Sequence, residues 1–168
     1  GTQHGGILVD FNAVKGGIEI IPLDNDWQKA AHVYSDEVLI SHRTDAEKGT
    51  PKFERGKSLS DHQREMIYIS GTAAIRGEES IVTGDVLVQT EITLENIQHL
   101  IGLEEGREKL PEHSGKLELL RVYLKHEEDA KIVKEDMDKL CPDVPIVYLY
   151  ADVCREELLV EIEGIAYL

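Results

Sequence analysis

Apolar residues recur along the second half of the chain at spacings that predict its secondary structure. From residue 86 to 101 they repeat at intervals of four, four, three and four, which is the spacing of one face of an α-helix. Asp85 precedes this stretch as a good N-cap, and Gly102 follows it where a C-cap glycine belongs. A helix between Asp85 and Gly102 is therefore predicted.

A second helix and four strands are predicted in the rest of this half. Apolar residues at helical spacing predict a helix over 127–140, and Pro142 ends it. Short runs of branched and aromatic residues between turn-forming residues are typical of β-strands. Such runs predict strands at 66–75, 116–125, 144–153 and 158–168.

The first sixty residues carry weaker patterns. Two apolar runs within 7–21 flank Gly16 and Gly17, which predicts a hairpin. Residues 41–62 are polar and contain glycine and proline, as loops do. We therefore divide the chain into N-terminal strands and a loop, 1–60, and a domain over 61–168. A second interpretation takes the N-terminal stretch as the end of a truncated upstream domain.

The order of the predicted elements indicates the fold class. Strand, helix, strand, helix, strand and strand together predict an α+β sandwich, a mixed β-sheet with two helices packed on one face. The other face of the sheet has no second layer in this part of the chain. Because an apolar sheet face needs a cover, the first 60 residues or another subunit must supply it, and we favour an oligomer.

The last predicted strand carries two glutamates among aliphatic residues. Alternate side chains of a strand point to opposite faces of the sheet. The predicted core face holds Leu158, Val160 and Ile162. The opposite face holds Leu159, Glu161, Glu163 and Ile165. Two strand steps, roughly 7 Å, separate the two glutamates, and charged groups on such a surface are solvated, paired or functional.

Composition and charge narrow the classes of function. The 33 acidic and 18 basic residues give a net charge of −15, which argues against a nucleic-acid partner. An anionic small molecule remains compatible with this charge if a few arginines gather in one pocket. No apolar run approaches the ~20 residues of a membrane helix, so we expect no membrane association and a cytoplasmic location.

The sequence offers no pattern for a metal or a cofactor. The two cysteines, Cys141 and Cys154, stand in no CxxC or Cys/His spacing and are predicted to be free thiols. The histidines show no HxxxH or HExxH spacing. We therefore expect neither a metal site nor a cofactor.

Four segments resemble the RidA/YjgF family, also known as endoribonuclease L-PSP, in their order and spacing. They are YISGTAAI (68–75), GDVLVQTEITLENIQHLIG (84–102), LLRVYLKHEEDAKIV (119–133) and LVEIEGIA (159–166). The resemblance covers about 65–168. It implies a chorismate-mutase-like α+β fold, which makes 61–168 a RidA-like domain, and a homotrimer with ligand clefts between subunits.

A closer resemblance is to the C-terminal half of chorismatases. It lies in NDWQKAAHVYS (25–35), PKFERG (51–56) and above all ADVCREELLVEIE (151–163), and it extends over roughly 20–168. It implies hydrolysis of the enol ether of chorismate, with release of pyruvate. Chorismatases are about twice as long as this chain, and their N-terminal half has no counterpart in it.

The resemblance singles out Glu161 as the general acid. Aliphatic neighbours would raise the pKa of Glu161 by desolvation, and the like charge of Glu163 would raise it further, so that Glu161 can hold a proton near neutral pH. The alternative is that both glutamates pair with lysine or arginine across a trimer interface.

Five further residues complete the predicted site. Arg55 and Arg155 can each grip a carboxylate through a planar guanidinium. The hydroxyl of Tyr34 is predicted to reach the cleft, Cys154 stands where some chorismatases carry cysteine, and Glu163 lies beside Glu161. The alternatives are surface positions for the arginines, simple packing for Tyr34 and a buried apolar role for Cys154.

Three functional hypotheses follow. The first is a chorismatase-like enzyme that acts on a small carboxylate. The second is a trimer that binds such a metabolite without catalysis. The third, enamine or imine deamination, is disfavoured because the resemblance implies an arginine near Ile146, where VPIVYLY (144–150) has none.

Overall fold

The computed structural model describes residues 9, 11–39, 49–61, 63–102 and 116–168, which form strands and two α-helices. In chain order the strands are β1 (Glu19–Leu23), β2 (Gly56–Ser60), β3 (Glu65–Thr72), β4 (Ile75–Arg76), β5 (Glu79–Ser80), β6 (Lys116–Leu124), β7 (Ile146–Tyr150) and β8 (Val160–Tyr167). The α-helices are α1 (Val86–Ile101) and α2 (Ala130–Leu140). Short 3-10 helices cover Ala31–Val33 and Glu127–Asp129.

Six of the strands form one mixed sheet in the order β1-β2-β3-β8-β6-β7. Its neighbours are antiparallel except for β6 and β7, which are parallel and are joined through α2. Strands β4 and β5 pair separately as a two-stranded unit. The predicted α+β class with a mixed sheet and two helices is confirmed.

The two helices cover one face of the sheet, and the main core lies between them and the strands. Helix α1 packs against β8, β3 and α2. The core residues from helices and strands include Ile97, Leu120, Val122, Val133, Met137, Val160 and Ile162, all fully buried. Burial of this apolar face stabilises the helices more than their intrinsic propensity does.

Helix α1 begins and ends as its sequence predicts. The Asp85 side chain accepts hydrogen bonds from the backbone N–H groups of Leu87 (2.9 Å) and Val88 (3.4 Å). Gly102 adopts a left-handed conformation with φ 76°, and its N–H donates to the carbonyls of Gln98 and His99. Both ends of the helix are therefore capped.

The prediction for the N-terminal stretch is wrong in two places. Among the described residues of 7–21, only the last few form a strand, and β1 pairs with β2 instead of closing a local hairpin. Phe11 and Val14 are exposed. The predicted loop over 41–62 contains β2, although 41–48 and 62 lie outside the described residues. Strand β2 joins β1 to β3, so the proposed boundary at residue 60 falls between paired strands of one sheet.

The segment between β1 and the 3-10 helix Ala31–Val33 is tied to α1 by buried amides. Asn25 Nδ2 donates to the carbonyl of Asn96 at 2.9 Å. The Asn96 side chain in turn donates to the carbonyls of Ala73 (3.0 Å) and Ile75 (3.1 Å). Gln28 Nε2 also donates to Ile75 O, at 3.3 Å. These contacts fix the approach of the N-terminal segment to the end of β3, where the cavity described below opens.

The face of β8 that points away from the helices carries Glu161 and Glu163, as predicted. Leu158 and Leu159 precede β8, so strand alternation does not place them. Leu158 is buried in a small separate cluster with Ala73 and Ala74, and Leu159 packs against the main core instead of standing on the glutamate face.

Candidate functional site

A cavity of about 440 Å³ lies on the sheet face opposite the helices, at the Glu161 end of β8. The N-terminal part of the chain lines it with Tyr34, Val38, Leu39, Gly49, Pro51, Phe53 and Arg55. The remaining lining residues are Ser70, Gly71, Ala73, Ile75, Cys154, Arg155 and Glu161. Residues from 1–60 therefore cover this end of the sheet face, and a mostly apolar wall surrounds a few polar groups, as in small-molecule sites.

Glu161 reaches into this cavity across Gly71 of the adjacent strand β3. A methyl group on Gly71 would overlap Oε1 of Glu161 and come within 3.0 Å of its Cδ. The absence of a side chain at position 71 therefore makes room for the carboxyl group. Among the described residues Glu161 has no hydrogen-bond or ion-pair partner, and the alternative of pairing across a trimer interface stays a prediction.

The surroundings of Glu161 favour its protonated form. Desolvation by burial raises the pKa of Glu161, and the charge of Glu163 raises it further. A carboxyl group that keeps its proton toward neutral pH can act as a general acid. The expectation for the pKa of this side chain thus agrees with its environment in the folded chain.

Arg55 is held inside the cavity instead of lying on the surface. Its side chain is only 3% exposed. Nη2 donates to the carbonyl of Lys29 at 2.6 Å and to the Tyr34 hydroxyl, and the guanidinium lies 5.1 Å from the centre of the Phe53 ring. Its Nε is buried and has no partner among the described residues. Arg55 thus places a buried cation at the cavity wall, with one N–H group that lacks a partner among the described residues.

Tyr34 lies close to both buried arginines. The guanidinium carbons of Arg55 and Arg155 lie 5.7 and 5.6 Å from the centre of its ring. Arg155 is 8% exposed, and its Nη1 donates to the carbonyl of Glu78 and to Ser80 Oγ, both at 2.9 Å. The chain itself therefore holds Arg155 in position, and the surface alternatives for both arginines are wrong.

Cys154 is a free cysteine at the cavity, and the residue as a whole is exposed. The alternative of a buried apolar cysteine is therefore wrong. Desolvation of the sulfur atom raises the pKa of Cys154 and the charge of Glu161 raises it further, while Arg155 opposes both effects. A raised pKa keeps the thiol protonated, which makes Cys154 a weak nucleophile in the free protein.

Glu163 lies outside the cavity lining and pairs within the chain. The Tyr123 hydroxyl donates to Glu163 Oε1 at 2.6 Å, and Arg121 Nε lies 3.0 Å from the same oxygen. Both partners come from the neighbouring strand β6, on which Arg121 is opposite Glu163 and Tyr123 is opposite Glu161. Glu163 therefore does not line the cavity, and its predicted substrate-binding role stays a prediction.

The sign of charge in the cavity is opposite to that of the whole chain. Its lining contains two arginines and one carboxyl group, and burial raises the pKa of that carboxyl group. The chain as a whole carries a net charge of −15. Because solvent and salt screen distant surface charges, the buried arginines dominate the field that a bound anion experiences.

Sequence reasoning brought together Tyr34, Arg55, Cys154, Arg155 and Glu161, and the fold places all five around one cavity. It missed Phe53, Arg121 and Tyr123. A signal for the last two was available, because they alternate on a strand predicted at 116–125. The sequence reasoning did not predict that this strand pairs with β8.

The strand position implied for a deaminase arginine is apolar. Val147, next to Ile146, lies beside Arg121 in the parallel β6–β7 register. Arg121 is already within ion-pair distance of Glu163.

Among the described residues no group of three or more His, Cys, Asp and Glu side chains is placed to hold a metal ion. No helix in the described ranges has the length and apolar character to cross a membrane.

Comparison of the sequence with curated proteins finds chorismatases. The chain is 32% identical over 173 residues to a chorismatase from Streptomyces rapamycinicus, covering 98% of this chain and 48% of that protein. It is 31% identical over 178 residues to a 3-hydroxybenzoate synthase from Streptomyces hygroscopicus, again covering 98% of this chain and 48% of the relative. The chain thus spans about half the length of the curated relatives it matches.

Comparison of the fold agrees. A crystal structure of a chorismatase superposes with a TM-score of 0.70 at 29% identity, covering 88% of this chain and 43% of that one. A putative endoribonuclease from Thermotoga maritima gives 0.58 at 15% identity, covering 88% of this chain and 97% of that one. The YjgF protein of E. coli gives 0.51 at 20% identity, covering 68% and 87%.

These findings confirm the two predicted resemblances, to chorismatases in sequence and to the RidA/YjgF family in fold. The chain is chorismatase-like in sequence over half the length of those enzymes, and its fold is that of the RidA/YjgF family. No family model matches the chain.

Proposed function

We propose that the chain carries the acid-catalytic part of a chorismatase-like hydrolase that releases pyruvate from the enol ether of chorismate or a similar carboxylate. The observation that carries this proposal is the placement of Glu161 and the buried Arg55 in one cavity. The similarity to chorismatases over half their length supports the substrate class.

Glu161 is the proposed proton donor. Protonation of the terminal CH₂ carbon of an enolpyruvyl ether produces an oxocarbenium ion. Water adds to the cationic carbon and loses a proton, and the resulting hemiketal collapses to pyruvate and the ring alcohol. The water-derived proton can return to Glu161, so the acid is regenerated. The step needs a carboxyl group that is protonated before substrate arrives, and burial together with the charge of Glu163 raises the pKa of Glu161 in that direction.

Arg55 is the proposed carboxylate anchor. Its guanidinium is oriented by Tyr34 and Lys29 O, and its Nε has no partner among the described residues. A substrate carboxylate that accepts this hydrogen bond would compensate the buried cation. Arg155 adds a second positive charge close to the Tyr34 ring, and the chain already holds it in place.

The test is a coupled measurement of pyruvate released from chorismate. Glu161→Gln should lower the rate on the order of 10² to 10⁴-fold, because the amide keeps the shape of the side chain and loses the acid. Chorismate should still raise the melting temperature of this variant. Glu163→Gln should reduce the rate less, since Glu163 does not line the cavity. Equal rates for wild type and Glu161→Gln would rule out Glu161 as the acid.

The second candidate function is metabolite binding without catalysis. It is favoured by the cavity lining, in which two arginines stand in a mostly apolar wall, because such a lining can bind a small carboxylate without any catalytic step. Wild type would then release no pyruvate, while chorismate would still raise its melting temperature. Rapid turnover of an imine substrate in a parallel assay would support deamination instead and would require an arginine such as Arg55 or Arg155 in place of the one expected near Ile146.

The proposed assembly is a homotrimer. Residues from 1–60 cover the Glu161 end of the sheet face, but Val147 and Leu149 on β7 and Tyr167 on β8 remain exposed. These side chains continue the face that carries Arg121 and Glu163. Light scattering at micromolar concentration should give three times the mass of the chain. A stable monomer would mean that the N-terminal cover is sufficient.

A further inference from the structure

Four side chains on paired strands make a polar patch behind the cavity. Antiparallel pairing places Tyr123 opposite Glu161 and Arg121 opposite Glu163. The hydrogen bond runs diagonally, from the Tyr123 hydroxyl to Glu163 Oε1, and Arg121 Nε lies 3.0 Å from that same atom. Two donors therefore converge on Glu163, whereas Glu161, on the same face, contacts neither of them through a hydrogen bond or ion pair.

This asymmetry separates two carboxyl groups that would otherwise compete for a proton. Two carboxyl groups close together cannot both ionise without mutual repulsion, and the donors around each decide which one keeps the proton. Donors that face Glu163 stabilise its charged form. The side of Glu161 faces the cavity and Gly71, which supplies no donor side chain.

We propose that Arg121 and Tyr123 are positioning residues that hold Glu163 as the charged member of the pair and so leave the proton on Glu161. The proposal rests on the function proposed above for its catalytic meaning, but the placement of the proton is a property of the protein alone. Tyr123 suits this task, because burial and the hydrogen bond to Glu163 raise the pKa of Tyr123 to about 12 and keep it a donor across the neutral range.

The other charged groups around Glu161 come from three elements. Strand β6 contributes Arg121 and Tyr123, the segment before β8 contributes Cys154 and Arg155, and the N-terminal segment contributes Tyr34 and Arg55. By the sign of their charge, the two cavity arginines favour an ionised Glu161. They therefore act against burial and Glu163, which raise the pKa of Glu161. Removal of Glu163 leaves burial as the remaining effect that raises the pKa of Glu161.

A substrate-free titration tests where the proton sits. Protein labelled with ¹³C at the glutamate side-chain carboxyl carbon is titrated by NMR, and Glu161→Gln and Glu163→Gln identify the two resonances. In Glu163→Gln, Glu161 should ionise at lower pH than in wild type. In Tyr123→Phe and Arg121→Gln, the proton should be shared between Glu161 and Glu163. At a pH where wild-type Glu161 is protonated, the Glu161 resonance of these variants should move part-way to the ionised position. The Glu163 resonance should move part-way to the protonated position.

Tyr68→Phe is the matched control. Tyr68 lies on β3 opposite Ile165, on the same face of the sheet, and no hydrogen bond from its hydroxyl is found among the described residues. Loss of this hydroxyl should leave the Glu161 titration unchanged. If the loss of any hydroxyl on this face disturbed the structure, the Glu161 titration would change in Tyr68→Phe as much as in Tyr123→Phe.

The outcomes separate this proposal from the proposed function. Identical Glu161 titrations in wild type, Glu163→Gln and Tyr123→Phe would overturn the proposal even if wild type releases pyruvate. A wild-type proton found on Glu163 would also overturn it. The expected titrations without any pyruvate release would establish the placement of the proton and reject the hydrolase. With both, pyruvate release in Tyr123→Phe should fall in proportion to the protonated fraction of Glu161.

Discussion

Replacement of Gly71 by alanine should damage the proposed chemistry far more than the fold. The new methyl group would overlap Oε1 of Glu161 and lie 3.0 Å from its Cδ. The backbone at position 71 is not in the left-handed region, so alanine itself is accommodated there. The conflict is resolved by movement of the Glu161 carboxyl group, because this is the end of a flexible side chain.

The magnitude follows from that movement. Relief of the overlap requires the carboxyl oxygen to retreat by about 1 Å, and a misplacement of about 1 Å can lower a rate on the order of 10²-fold. The displaced side chain costs about 0.5–1.5 kcal/mol in rotamer strain. The smaller entropy of the unfolded alanine variant offsets about 0.4–1 kcal/mol of this cost. The melting temperature should therefore fall by no more than about 4 °C.

The assay compares pyruvate release and thermal unfolding in Gly71→Ala and Gly16→Ala. A Cβ on Gly16 meets no atom within 4 Å, and Gly16 is exposed, so this control makes the same chemical change in open space. Gly16→Ala should match wild type in both measurements. Full activity in Gly71→Ala would refute the positioning of the acid across Gly71. A fall of 10 °C or more in its melting temperature, well beyond the expected ~4 °C, would show that β3 and β8 cannot accommodate the methyl group.

Three further predictions address the anchor, the N-terminal segment and the acid. Arg55→Lys keeps the charge but loses the planar fork, so chorismate affinity from ligand-induced shifts in melting temperature should fall about 10- to 100-fold, with exposed Arg64→Lys unchanged. Asn96→Ala removes two buried hydrogen bonds and should destabilise the fold by about 2 kcal/mol, roughly 4–8 °C, whereas exposed Asn12→Ala should not. Because folding raises the pKa of Glu161 above its ordinary 4.5, the stability that its proton contributes is fully present below pH 4.5 and is lost as pH rises through the raised value. The melting temperature of Glu161→Gln relative to wild type should therefore increase with pH, and a constant difference from pH 4 to pH 8 would contradict the raised pKa.

Local signals account for the parts of the fold that the sequence predicted well. The N-cap Asp85, the C-cap Gly102 and the apolar spacing between them all act within a few residues of the helix they define. Alternation along β8 similarly placed Glu161 and Glu163 on one face. Such features need no knowledge of what the element packs against.

The wrong hairpin in 7–21 shows where local signals fail. The partner of β1 is β2, more than thirty residues later and within a stretch of polar residues. The register of β2 is supported by close packing instead of apolar side chains, since a methyl group on Gly56 would lie 3.1 Å from Leu100 Cδ2 and 3.0 Å from the carbonyl of Tyr68. Composition does not reveal a strand that is held by backbone pairing and small residues.

The residues of the candidate site also differ in whether the sequence alone could identify them. The resemblance to chorismatases supplied the cavity residues one by one, including Tyr34 and Arg55 from a stretch with weak secondary-structure signals. Arg121 and Tyr123 were missed because their meaning depends on the pairing of β6 with β8, which neither strand encodes alone. Gly71 leaves room for an approaching group, but only the pairing of β3 with β8 shows that this group is the Glu161 carboxyl.

Burial decides how an acidic chain presents a site for an anion. Arg55 is 3% exposed and, among the described residues, has no carboxylate partner, so the fold leaves a buried cation uncompensated by protein charge. A buried cation without a counterion costs stability unless hydrogen bonds or a ligand supply the missing negative charge. Tyr34 and Lys29 O supply part of the hydrogen bonding, and the free Nε marks the part that remains. Burial raises the pKa of Glu161, and Glu161 makes no ion pair with Arg55 among the described residues, so on the proposed function a substrate carboxylate supplies that charge.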